Sequence, residues 1–479
     1  MKKNKNYKML AIGLLTLAVV SAAVPAHAQY SLLYNFGVSS VADASGPLGA
    51  IAQGEDGSLY STGLLGGARN LGAVWKITPS GKETVVYSFC SLTCADGDLP
   101  NTGLTLRPDG HFLGTTASSD PSGSLPGTIY DVSQTGSFSM LYPPMNGTAL
   151  GISPVLGPDG SFYGITSGGS NGCGTVYRLS AVFTVIHTFD KTHGCEPSTL
   201  VLGTDRSFYG TTSSGGTSNS GVVFKLTYRP GLATLFSVIT NVSSTNGAPV
   251  GSLVEGSDGN FYGVTTRTPS SGVNGSVFQV TPNGVLTTLH ALNGTTDGGL
   301  PTALTFASDG NLYGTAVLGG AEGGGGVGTL FQVTLAGTYT VLYRFTGPNS
   351  GASPFALVQH TNGLLYGSAN VGGAFSGSSY HCDLNPNDGC GVVFSWNGNL
   401  PAFGSTVQLM GAVGSEVEIL GQGFTSSSIV SFNGVPATAT VQSGTSLHAT
   451  VPVGATTGSI TVTTSTGTLT SNRQFVVLP

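Results

Sequence analysis

The chain has 479 residues, of which only 8% are charged, with 75 glycines and a formal net charge of −6. So few charges with an acidic balance exclude the basic stripe of a nucleic-acid binder or an anionic-membrane binder. Aromatic and β-branched residues recur too regularly for a disordered chain.

The first predicted element is a secretory signal peptide over residues 1–28. Four lysines precede an apolar run from Met9 to Val24, and Ala26-His27-Ala28 offers small residues at cleavage spacing. Cleavage before Gln29 leaves 12 basic and 22 acidic residues, a net charge near −10. The apolar run is short for a span, and no later segment is long and apolar enough to cross a bilayer. The expectation is a secreted, periplasmic or cell-surface protein with no membrane span after cleavage; a retained anchor is the alternative.

A turn phrase then recurs. Its markers are Asp56-Gly57, Asp109-Gly110, Asp159-Gly160, Asp205-Arg206, Asp258-Gly259, Asp309-Gly310 and Asn362-Gly363, spaced by 46 to 53 residues. A period near 50 signals a propeller or an array. The fifth unit shows four strand-like runs, a to d, at 249–256, 260–266, 275–281 and 285–292. Apolar and polar residues alternate, and Asp-Gly supplies the positive φ of a tight a–b hairpin. Each strand a opens near a proline, from Pro47 to Pro354. Each strand c carries an aromatic: Trp75, Tyr130, Tyr177, Phe224, Phe278, Phe331 and Phe394. Strand b carries Tyr60, Tyr163, Tyr209, Tyr262, Tyr313 and Tyr366. A residue repeated in every unit is read as core between units rather than as a sugar platform.

The seventh unit lacks a strand d, and YSLLYNF (30–36) looks like a stray one. The expected fold is therefore all-β: a seven-bladed β-propeller over 30–398, closed by its N-terminal strand. DGNFYGVTT (258–266), DGNLYGTAVLGG (309–320) and GVVFKLT (221–227) resemble the GloVer tandem repeat of exported bacterial proteins. That resemblance implies export and a repeat scaffold, with no known reaction. The DGN-aromatic hairpin also looks like propellers of the NHL and streptogramin-lyase type.

The period stops near Pro401. Residues 403–479 read as short alternating strands of an Ig-like β-sandwich. GQGF (421–424), FNGVPA (432–437) and the VPVG segment (451–454) resemble the IPT/TIG domain. Such a domain is expected to act as a spacer or cap, with direct ligand binding as the alternative. Its one arginine, Arg473, is too little basic charge for DNA.

In an a-b-c-d unit the a–b and c–d turns share one face, and the b–c and d–a loops share the other. The second set is long and irregular, so function is expected there. All six cysteines fall on it, and three local pairs are expected: Cys90–Cys94, Cys173–Cys195 and Cys382–Cys390. A zinc site is the alternative, although no CxxC or HxxxH supports it. Candidate ligand-binding residues on this face are Asp96, Asp98, Asp190, His193, Glu196, Asp297 and His381. Asp383, Asn385, Asn387 and Asp388 resemble the start of a calcium loop, but the glycine falls one place late and the twelfth-position Glu is missing. A disulfide-closed polar turn is preferred there; calcium is the alternative, and no other cofactor is expected. No GxSxG or HExxH occurs and no catalytic residue is assigned. The reading is an exported binding protein whose long-loop face takes an extracellular glycan, a wall component or a surface protein. The alternative is a hydrolase or lyase of extracellular polysaccharide.

Overall fold

The computed structural model describes residues 29–37, 43–90, 94–117, 127–142, 148–229, 231–266, 274–320, 326–347, 350–373 and 389–479. The predicted signal peptide, His381, Cys382 and the candidate calcium loop 383–388 lie outside them.

The fifth unit shows how sequence becomes sheet. Its strands are Pro249–Glu255, Phe261–Thr265, Ser276–Val280 and Leu286–Ala291, hydrogen-bonded in chain order and all antiparallel. The turn between the first two runs through Gly259 at φ +74°, which a glycine adopts without strain. The fourth unit has Arg206 at that place, held at φ +69°. Seven such sheets occur among the described residues between Tyr30 and Trp396. In the third, the inner strand is split into Thr148–Leu150 and Val155–Leu156, which pair with different stretches of Phe162–Gly168.

Glycine in the recurrent Tyr-Gly step has a packing cause. A Cβ at Gly263 would come within 2.5 Å of the Phe278 ring, and one at Gly314 within 2.4 Å of the Phe331 ring. The missing side chain lets the cross-strand aromatic lie flat over strand b. The seven strand-c aromatics and the six strand-b tyrosines are all buried, as core rather than as platform, with Leu113 taking the tyrosine's place in the second unit.

Neighbouring sheets lock by a second repeated contact. The opening proline of one unit packs on the glycine that precedes strand c of the unit before. A Cβ at Gly275 would lie 2.5 Å from Pro301, and one at Gly328 would lie 2.4 Å from Pro354. The same contact joins the two ends, because a Cβ at Gly391 would lie 2.5 Å from Pro47. The strand Tyr30–Asn35 pairs antiparallel with Val392–Trp396 and completes the last sheet. Phe36, Trp75, Tyr366 and Val393 then share one apolar cluster across the seam. The sheets thus follow one another in a propeller-like ring, and no sheet at the ends is left without a neighbour.

After Pro401 come two four-stranded antiparallel sheets and a short parallel pair. Val417, Ile419, Phe432, Leu447 and Val462 from both sheets fill a common core. This second unit sits on the short-turn face of the ring. Thr445 and Ser443 donate their hydroxyls to the Glu55 carbonyl at 2.6 and 3.0 Å. Gln422 donates to the Thr361 hydroxyl, which donates to the Gly421 carbonyl. Arg473 donates to the Leu202 carbonyl and to Glu255. Met410 and Val476 enter the same apolar cluster as Tyr163 and Phe208 of the ring.

Candidate functional site

The two faces use their polar residues differently. On the short-turn face each marker aspartate closes its own hairpin by accepting from the amide two residues on, and four of them also accept from the strand-b tyrosine four residues on. The pairs are Tyr60–Asp56, Tyr209–Asp205, Tyr262–Asp258 and Tyr313–Asp309, at 2.7 to 3.1 Å. A strand-c side chain completes the set: Lys76 on Asp56, Arg178 on Asp159, Lys225 on Asp205, Gln279 on Asp258. Burial alone would raise the Asp205 carboxyl, but the Lys225 ammonium and the Ser207 and Tyr209 donors outweigh it and hold it low. The same balance lowers Asp56, Asp159 and Asp258. These aspartates are structural, and the DGxxY spacing is their sequence signal.

On the long-loop face the described predicted residues Asp96, Asp190, His193, Glu196 and Asp297 bond to neighbouring amides and side chains. Asp96 sits in a single 3-10 turn, Cys94–Asp96, and accepts from the Tyr87 hydroxyl at 2.8 Å and the Cys90 amide at 3.1 Å. Asp98 is fully buried. Asp190 accepts from the Thr192 and His193 amides, and the His193 ring lies 3.0 Å away. That imidazole holds the Asp190 carboxyl below its ordinary range. Glu196, at φ +57°, accepts from Ser213 at 3.0 Å and Ser214 at 3.2 Å. Asp297 lies 2.9 Å from His290 and accepts from the Asn293 amide at 2.8 Å. The disulfides Cys90–Cys94 and Cys173–Cys195 form as expected, and Cys390 is disulfide-bonded. The loops are therefore braced from within. Among the described residues these carboxylates and histidines are not gathered into one cluster of three.

One such cluster does form, on the opposite face. Glu55, Glu418 and His448 each place one ligand-type atom within 4.8 Å of the others. Glu418 is 1% exposed, and burial together with the neighbouring Glu55 charge pushes its carboxyl up to about 8. None of these three is among the residues expected from the sequence. Signals existed: Glu55 is the only acid directly before a marker, and alternation puts Glu418 and His448 on one face of their strands. Separately, a cleft of ≈ 450 Å³ lies between the fifth turn, Glu255 to Gly259, and Asn472, Arg473 and Gln474.

These features define an all-β, propeller-like repeat protein. Residues 150–381 match the Gloeobacter/Verrucomicrobia repeat. Among solved structures the chain is similar to virginiamycin B lyase from Staphylococcus aureus, with 16% identity, a TM-score of 0.52, and 77% of this chain and 98% of that chain covered. A catalytically inactive variant of that enzyme, solved with quinupristin, aligns at 16% identity and a TM-score of 0.49, over 77% and 98% of the two chains. A gluconolactonase from Xanthomonas campestris aligns at 17% identity and a TM-score of 0.39, over 58% and 85%. The first of these likenesses concerns the fold alone. No curated protein matches the chain in sequence. Among the described residues no helix is long and apolar enough to cross a membrane.

Proposed function

We propose that the chain is an exported, non-catalytic binding protein: a seven-bladed β-propeller over 30–398, capped by an IPT/TIG-type Ig-like domain over 403–479. Its long-loop face takes an extracellular glycan or surface protein. One observation carries this reading. The C-terminal unit sits on the short-turn face through Thr445, Gln422, Arg473 and Met410, so the loop face is the ring face left to meet a ligand. Loops closed by disulfides and by their own aspartates keep a fixed shape, which lowers the ordering cost of binding. Asp96, Asp190, Glu196 and Asp297 are engaged by amides and hydroxyls of their own loops or of the adjoining strands, which suits support of loop shape better than proton transfer.

The test uses the exported chain with a panel of soluble and insoluble polysaccharides and extracted surface proteins. Protein depletion and new sugar ends or unsaturated products are measured in the same tubes. Depletion without products is the expected result. Product formation that survives repurification would replace this reading with a hydrolase or lyase.

A further inference from the structure

We propose that Glu55, Glu418 and His448 bind a divalent transition-metal ion of the zinc class, held between the first repeat and the C-terminal strands. This site is independent of any ligand on the loop face.

The placement follows from strand alternation. In Glu416–Leu420, Val417 and Ile419 point into the core of the C-terminal unit, so Glu416 and Glu418 point away from it. In Ser446–Thr450, Leu447 and Ala449 point inward and His448 points away. Glu418 and His448 are direct cross-strand partners. That outer face meets the first turn of the ring. The Glu55 carbonyl is pinned by Thr445 and Ser443, and Gln134 donates to its carboxylate at 3.1 Å. Two carboxylates and an imidazole from three separated stretches of chain thereby converge within 4.8 Å.

Two buried atoms point to a cation. Glu418 Oε2 is buried and finds no donor when both carboxyls are ionised, the Glu55 carboxyl being its hydrogen-bonding neighbour, while Oε1 accepts from Ser446 at 3.3 Å. A buried carboxylate oxygen without a donor is costly unless a cation meets it. His448 Nε2 is also buried and without a partner, and its Nδ1 lies 3.0 Å from Glu416 Oε1. An Nδ1–H donated to that carboxylate leaves the lone pair on Nε2, the arrangement by which an outer carboxylate orients a metal-binding histidine. An imidazole nitrogen beside two carboxylates suits zinc and its first-row neighbours, whereas calcium takes oxygen alone. Three protein ligands leave the remaining position to water. Bound there, the ion would fasten the C-terminal unit to the ring. The rival account is a single proton shared by Glu55 and Glu418.

The full chain, expressed for export and stripped with a chelator, is dialysed against Zn²⁺ or Ca²⁺, and bound metal and the thermal midpoint are measured. One equivalent of zinc and a raised midpoint are expected, with little calcium retained. E418Q preserves side-chain volume and the acceptor for Ser446, and should weaken zinc binding by at least about tenfold, as should H448Q. If H448Q does not fold, E418Q and E55Q carry the comparison. The proposal is overturned by absence of bound zinc, by equal binding to E418Q, or by preference for calcium. Absence of zinc from the wild type and from E418Q alike would overturn the metal site and leave the shared proton as the account of the pair.

Discussion

Asp205 and Asp190 stand beyond opposite ends of one strand, Cys195–Leu202, and do different work. Asp205, on the short-turn face, ties a tyrosine hydroxyl and a lysine across two strands of its sheet. Asp190, on the long-loop face, folds its own loop back on the amides of Thr192 and His193. The first arrangement recurs from repeat to repeat and supports a second unit. The second is a local fold-back of the kind that Asp96 and Asp297 also make with the Cys90 and Asn293 amides. A carboxylate that ties neighbouring strands therefore serves the scaffold, and one that folds back on nearby amides serves its own loop. The two faces differ because one is fixed by hairpins of constant length, while the other is free to vary.

The largest effect that would sharpen this contrast lies on the loop face. Replacing Cys173 and Cys195 together by serine opens a link of sequence separation 22. Loop-closure entropy puts the cost near about 3 kcal/mol, read by urea unfolding. A loss below about 1 kcal/mol would mean that the loop keeps its shape without the link.

A smaller effect is expected on the covered face. Arg473→Ala leaves Glu255, whose side chain is 6% exposed, without its cation, although Thr204 still donates to it. A loss of about 2 kcal/mol is expected, with faster proteolysis near Pro401. Unchanged proteolysis would break the claim that the C-terminal unit is fastened there.

The smallest effect compares the two aspartates by pH. Asp56, Asp159, Asp205 and Asp258 have folded-state pKa values depressed below the ordinary 3.8. Their contribution is present in full above that value and is lost as pH falls through the depressed ones. Asp205→Asn should therefore lower the urea midpoint at pH 7 and make little difference in strong acid. Asp190 is also depressed, but its partner His193 carries a charge only when protonated, whereas Asp205 faces the Lys225 ammonium and the Tyr209 hydroxyl. Asp190→Asn should shift the midpoint less at every pH, and an equal shift would erase the distinction between the faces.

Much of the scaffold was legible in the residues alone. Period, hairpin markers and strand alternation are local signals, and they located each strand of the fifth repeat to within one residue at either end. The stray strand at 30–36 was legible because an unpaired final sheet and an orphan strand explain each other. The cysteine pairs were legible because two of them close short loops. The predicted loop-face residues were located on their loops, but their partners were not, since those partners are backbone amides and hydroxyls whose reach depends on loop shape.

What the sequence by itself determined is the repeat, its all-β character and the alternation of every strand, because each depends on residues within a few positions of one another. What only the tertiary structure decided is where the tail rests. Glu418 and His448 look like the outer face of an ordinary two-sheet unit, and Arg473 looks like a lone surface cation. Docking on the ring buries Glu418 at 1% exposure, brings Glu55 to it across more than three hundred residues of chain, and gives Arg473 its acid. Burial of an outward face depends on which other surface meets it, and no local pattern carries that information.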